Sequence, residues 1–251
     1  MQRTLISMLF TLFAVSAGAT TITITPANSI PDAYADENAW VLANFGSSFE
    51  PETLETFNEF TASNTTGYTS LSTSVGTFSV AGSSQAGSST LSTGTHQNQF
   101  TILDSSDTPF SGRYSTTIPD GGNWLDSNDI TGVKLTTSLN TLLFLITDVN
   151  DVGGNLTIKT QDGTQSSAFV PSPTAQNGDL YFVAITSSNP IGEVWWLNSS
   201  NSDGWGIDDL GTAVDPPAPT PEPATLSIAG LGLAVMVLAK KYKTPRDPQQ
   251  S

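Results

Sequence analysis

The residues best suited to chemistry in this chain are oxygen donors gathered in short loops. One group lies in Gly121 to Asp129 (GGNWLDSND), where Asn123, Asp126, Asn128 and Asp129 surround Trp124. A second is Ser202 to Leu210 (SDGWGIDDL), with Asp203, Asp208 and Asp209, and a looser third is Asp148, Asn150 and Asp151. Carboxylate and amide oxygens at alternating short spacing suit Ca2+, which takes about six to eight hard oxygens in a flexible loop. Asp126, Asp129, Asp208 and Asp209 are therefore candidate ligands of a structural Ca2+, although no group follows the EF-hand pattern. Asp and Asn also cap turns by bonding their own backbone, so both readings stand at this level.

Three tryptophans, Trp195, Trp196 and Trp205, are candidates for ligand binding, because a flat aromatic face is a common platform for a sugar ring. Strand alternation in Glu193 to Leu197 (EVWWL) sends Trp195 and Trp196 to opposite faces, so only one of them can lie in a core. Catalytic signals are few. His96 is the single histidine, there is no cysteine, and no Gly-x-Ser-x-Gly nucleophile elbow occurs. Cys-ligated zinc and three-His zinc are thereby excluded. Paired-carboxylate glycoside cleavage needs only two acids, and composition does not exclude it. The expectation is a protein that is not an enzyme, with a glycoside-active enzyme as the alternative.

Charge limits the partners. The formal net charge is −15, and Thr20 to Thr220 holds 21 acids against Arg113, Lys134 and Lys159, a net of −18. The other bases sit at the ends: Arg3, Lys240, Lys241, Lys243 and Arg246. Nucleic-acid binding requires basic surface to neutralise phosphates, so nucleic acid is not an expected partner. With 37% hydrophobic residues, including 12 Phe and 5 Trp, the chain can still build a core.

The elements that must position these residues are strands. Thr21 to Thr25 and Val75 to Val80 alternate with period two. Leu142 to Val149 (LLFLITDV) is a continuous apolar run, the mark of a strand covered on both faces. Leu156 to Thr160, Leu180 to Thr186 and Glu193 to Leu197 follow, separated by Gly/Asn/Asp/Ser turns. The fold class expected is all-β, an antiparallel β-sandwich over residues 20–213. One or two helical turns are expected at Pro51 to Phe60, with Glu52, Glu55 and Glu59 on a wet face, and almost no helix elsewhere in this domain.

The two ends read as topogenic. Residues 1–19 have Arg3, an apolar stretch from Leu5 to Val15, and small residues Ala17 and Ala19 for cleavage before Thr20, as in a signal peptide. Residues 214–223 (VDPPAPTPEP) form a Pro-rich linker. Residues 224–243 hold an uncharged span from Ala224 to Ala239 and a Lys-rich stop, read as a transmembrane helix with the domain outside; residues 244–251 are a tail.

Pro221-Glu222-Pro223, the apolar span, and Lys240, Lys241 and Lys243 together resemble the C-terminal sorting signal of PEP-CTERM proteins. The resemblance implies export, processing near Pro-Glu-Pro by an exosortase, transient or permanent membrane attachment through the C-terminal helix, and an envelope or extracellular location in bacteria that make exopolysaccharide. One departure is that TPRDPQQS follows the lysines, where the family usually stops almost at once.

Arg113-Tyr114, Asn123 to Asp129, Leu145 to Val149 with Gly153-Gly154, and Gly204 to Leu210 are similar to landmarks of PEP-CTERM ectodomains, which resemble jelly-roll, lectin-like or carbohydrate-binding modules. In such modules a Glu of an early strand and an Asp of the last strand share a structural Ca2+, which nominates Glu50 with Asp208 or Asp209. The functional expectation is an exported surface or matrix protein, non-catalytic, polysaccharide-binding and Ca2+-stabilised. A purely structural or adhesive envelope protein is a further alternative.

Overall fold

The computed structural model describes residues 20–83, 97–106, 112–117, 121–149, 156–160, 166–168, 178–198 and 204–214. The signal-peptide residues Ala17 and Ala19, His96, Asn150, Asp151, Asp203 and the whole sorting segment, including Pro221, Glu222, Pro223, Lys240, Lys241 and Lys243, lie outside the described residues. Thr20 is the first of the described residues.

Thirteen strands and one helix are described, and every ladder is antiparallel. In chain order they are β1 (Thr21–Ala27), α1 (Ile30–Phe45), β2 (Glu50–Glu55), β3 (Ser70–Thr73), β4 (Gly76–Val80), β5 (Thr101–Leu103) and β6 (Trp124–Asp126). Next come β7 (Gly132–Thr137), β8 (Thr141–Thr147), β9 (Leu156–Thr160), β10 (Ser166–Ala168), β11 (Leu180–Thr186), β12 (Gly192–Asn198) and β13 (Gly206–Val214). One sheet of seven strands runs β1-β11-β8-β13-β6-β5, with β2 also paired to β13. The other, of six strands, runs β10-β9-β12-β7-β4-β3.

Alternation along each strand builds the core between the sheets. Phe144, Ile146, Tyr181, Val183, Leu125 and Ile207 from the first sheet meet Phe78, Val133, Leu135, Ile158, Val194 and Trp196 from the second. Rings of Phe78, Phe144 and Trp205 lie 5.5 to 6.1 Å from that of Trp196. Burial of such area is the main stabilising term of the sandwich.

The run in β8 is buried on both faces because α1 lies over the back of the seven-stranded sheet. Ala33 and Val41 of the helix pack with Leu143, Leu145, Leu180, Phe182 and Ala184, the residues that alternation turns away from the sandwich core. This helix corrects the expectation of almost none. Its start is encoded locally: Ser29 accepts a hydrogen bond from the Asp32 amide, and Pro31 sits in the first turn, where its missing N–H costs nothing.

The second correction is at Pro51 to Phe60, where β2 replaces the expected helical turns. The outer half of β13 has open backbone groups, and β2 satisfies them from Glu55↔Leu210 to Glu50↔Val214. Pairing outweighs the weak local helical signal, and Pro51 is tolerated because β2 is an edge. Glu55 is not on a wet face. It is buried and accepts hydrogen bonds from the amides of Phe57 and Ser74.

Trp196→Ala is expected to destabilise the protein by about 3–5 kcal/mol in denaturant unfolding, against less than about 1 kcal/mol for the neighbouring Trp195→Ala at the surface. Equal losses would contradict the assignment of faces.

Candidate functional site

Two polar assemblies lie on the back of the seven-stranded sheet, beside α1. The first centres on Arg113. Its guanidinium pairs with Asp126 (3.2 Å), Asp129 (3.3 Å) and Asp148 (3.2 Å), and all four residues are buried. Asp126 lies at the end of β6, and Asn128 and Asp129 form the turn beyond it with positive φ, a conformation that Asn and Asp tolerate better than most residues. Asp148 follows β8, also at positive φ, and accepts from the Gly178 amide at 3.0 Å. Burial raises the pKa of Asp126, while the charge of Arg113 and the Asn128 amide work against that rise.

The Gly204-Trp205-Gly206 sequence lets β13 pass this centre. A side-chain carbon on Gly204 would lie 2.9 Å from the Arg113 guanidinium, and one on Gly206 2.9 Å from the Thr147 hydroxyl. Trp205 between them turns inward to Trp196, and its backbone exchanges hydrogen bonds with Ser127.

The second assembly begins two residues along β13. A bulge between Asp208 and Gly211, with Asp209 at φ 50°, breaks the alternation. Asp208, Asp209 and the segment 115–117 consequently meet on the back face. Asp208 Oδ2 accepts from Ser115 Oγ (2.7 Å), the Thr116 amide (2.8 Å) and Thr117 Oγ1 (3.3 Å). Asp209 Oδ2 accepts from Tyr34 of α1 (2.7 Å) and from Thr116 Oγ1 (2.6 Å). Burial, then the adjacent Asp209 charge, push the Asp208 carboxyl up to about 8. Burial and Asp209 likewise raise Glu37 of α1 to about 7.

These contacts decide how the expected calcium ligands stand. Asp126 and Asp129 face a guanidinium, and the Asp208 and Asp209 oxygens take hydroxyl and amide donors. Glu50 pairs with Val214 at the far end of β13, about 20 Å from Asp208 along the strand. Among the described residues no group of three or more acids or histidines is placed to hold a metal. Among the described residues the donors therefore do not make a shared Ca2+ cage, and Glu50 does not meet Asp208 as the resemblance implied. Arg113, the residue that organises the acids, was noted in the sequence only as a landmark. Its signal was its isolation: one of three bases in an acidic stretch.

The tryptophans separate clearly. Trp196 and Trp205 are buried in the core, whereas Trp195 lies partly exposed on the outer face of the six-stranded sheet. Its indole N–H donates to Glu193 at 3.2 Å, Lys134 Nζ sits 5.1 Å from its ring centroid, and Lys134 pairs with Glu193 at 2.8 Å. Two side chains, Glu193 and Lys134, thus hold the ring at the surface. The Lys134 bond holds the Glu193 carboxyl below its ordinary value.

Residues 219–241 match the family profile described as the PEP-CTERM protein-sorting motif. The chain carries a PEP-CTERM sorting motif. This motif marks an exported, envelope-associated protein that is processed by an exosortase. It covers the C-terminal segment alone and leaves the sandwich unassigned. No curated protein and no solved structure matches the chain.

Two outcomes are expected here. Arg113→Met leaves three buried carboxylates without their cation and lowers stability by about 3–5 kcal/mol, while chelation of divalent ions leaves the melting temperature unchanged. A drop on chelation would restore the calcium reading. Asp208 and Glu37 hold protons more tightly in the fold than in the unfolded chain, where carboxyls titrate near about 4. The stability they contribute is full below that value and is lost as pH rises through about 7 and about 8. Melting curves across this window should fall with pH, and less steeply in Asp208→Asn; an equal slope in the variant would contradict the assignment.

Proposed function

We propose that the protein is a non-catalytic envelope or matrix component that binds polysaccharide through the outer face of its six-stranded sheet, with Trp195 as the platform. The observation that supports this reading is the partial exposure of Trp195 on the outer sheet face while Trp124, Trp196 and Trp205 are buried. Serines and threonines surround it: Thr77 and Ser79 on β4, Thr136 on β7 and Thr157 on β9 take the same face by alternation and register. Such a surface offers one stacking plane and short hydroxyls for a sugar's own hydroxyls. Export by a cleaved signal peptide of residues 1–19 and attachment through residues 224–243 until processing belong to the same reading.

The non-catalytic part draws on the state of the acids. Glu37, Glu55, Asp126 and Asp208, whose protonation is displaced, are all buried, and a glycosidic bond needs a carboxyl it can reach. Glycan-array or affinity-gel retention of the full chain, kept soluble in detergent, tests the proposal. Retention without reducing-sugar release is expected, weakened about tenfold in Trp195→Ala. Release of reducing ends would favour a glycoside-active enzyme, and no retention on any glycan a purely structural or adhesive role.

A further inference from the structure

Resting on the polysaccharide reading, the register of the six-stranded sheet carries a statement about the ligand's charge. Trp195 on β12 stands directly opposite Lys134 on β7 and directly opposite Lys159 on β9. The three residues form one row across the sheet, with the tryptophan in the middle and the two lysine strands about 10 Å apart. Paired residues in an antiparallel ladder share a face, and burial agrees: Val194 and Trp196, Val133 and Leu135, and Ile158 all point inward. Lys159 is exposed and has no ion-pair partner among the described residues.

The rest of the domain makes this row distinctive. Arg113, Lys134 and Lys159 are the only bases between Thr20 and Thr220, and Arg113 is buried among acids. Both bases that can face solvent therefore flank the one tryptophan on this face. Glu193 is the single acid among the described outer-face strand positions, and it is already bonded to Lys134 and Trp195. Among the described strand positions of this face two lysines stand against one acid, a net of +1, in a domain that carries −18 from Thr20 to Thr220.

We propose that the Lys134–Trp195–Lys159 row binds an acidic polysaccharide, a chain whose carboxylate-bearing sugars stack on Trp195 and place their charges on the two lysines. A nucleic acid duplex fits less well, because its phosphates, one per about 1.7 Å of axis, would meet only two cations. A polysaccharide with one carboxylate per sugar or per repeat offers spaced charges that two lysines can meet while its uncharged ring edges lie on the Ser/Thr surface. Lys134 also holds the ring in place before the ligand arrives, which lowers the ordering cost of binding.

Affinity electrophoresis of the full detergent-solubilised chain against polygalacturonate, neutral dextran and single-stranded DNA tests this. Polygalacturonate should bind more tightly than dextran or DNA, and binding should weaken as salt rises. Lys159→Gln should weaken polygalacturonate about threefold without changing dextran, whereas Trp195→Ala or Trp195→Leu should weaken both glycans, with unchanged melting temperature certifying the fold. Dextran bound as tightly as polygalacturonate, with both lost in the Trp195 variants, would overturn the acidic specificity and leave the polysaccharide reading intact. DNA bound more tightly than either glycan would also overturn the proposal. Glycan binding unaffected by the Trp195 variants would overturn the polysaccharide reading at this face and the proposal with it.

Discussion

One guanidinium facing three carboxylates is the interaction on which the back of the molecule depends. Arg113 comes from a short segment between strands, and its acids come from the end of β6, the turn after it and the end of β8. The Ser127 hydroxyl and this guanidinium together stand where a side chain at Gly204 would lie, so the entry of β13 is shaped around them. A buried ion cluster of this kind adds little net stability over a well-packed apolar equivalent, but removal of one partner exposes the desolvation cost of all the others. Its contribution is to specify where four separate pieces of chain must meet.

The neighbouring Asp208–Asp209 pair extends that logic. The bulge in β13 lets both side chains reach Ser115, Thr116, Thr117 and Tyr34, so the six-residue stretch from Gly112 is fastened at both of its ends. Buried acids thus replace apolar packing where α1 stops covering the sheet. The opposite face of the sandwich carries the reverse pattern, with hydroxyls, one tryptophan and two lysines. Structural acidity is kept inside on one side, and the available positive charge is shown on the other.

Much of the scaffold was legible in the sequence because its signals were redundant. The apolar runs in β8 and β11 and the adjacent Trp195 and Trp196 fitted strand length and composition together, and each formed as expected. Helix α1 was missed because its buried stripe is sparse: Ala33, Glu37 and Val41, with an acid at the centre. The cap at Ser29 and Pro31 in the first turn were the available signs. The misread of Pro51 to Phe60 has a different cause, since β2 exists to complete β13, a partner more than 150 residues away that no local window contains. At the polar sites, Asp-rich loops identified where polar contacts would form but not what would balance them. The sequence does not say that Arg113 meets Asp126, Asp129 and Asp148; only the topology brings them together.

The central claim, that the sandwich offers Trp195, the one tryptophan on the outer face of its six-stranded sheet, to an acidic glycan, is tested most directly by 19F NMR of the chain labelled with fluorotryptophan. Its five tryptophans give five resonances, and the one absent from Trp195→Phe is that of the outer face. Polygalacturonate should shift this resonance and leave those of Trp124, Trp196 and Trp205 in place. A titration that moves the buried tryptophans, or that moves Trp40 on α1 while Trp195 stays fixed, would contradict it.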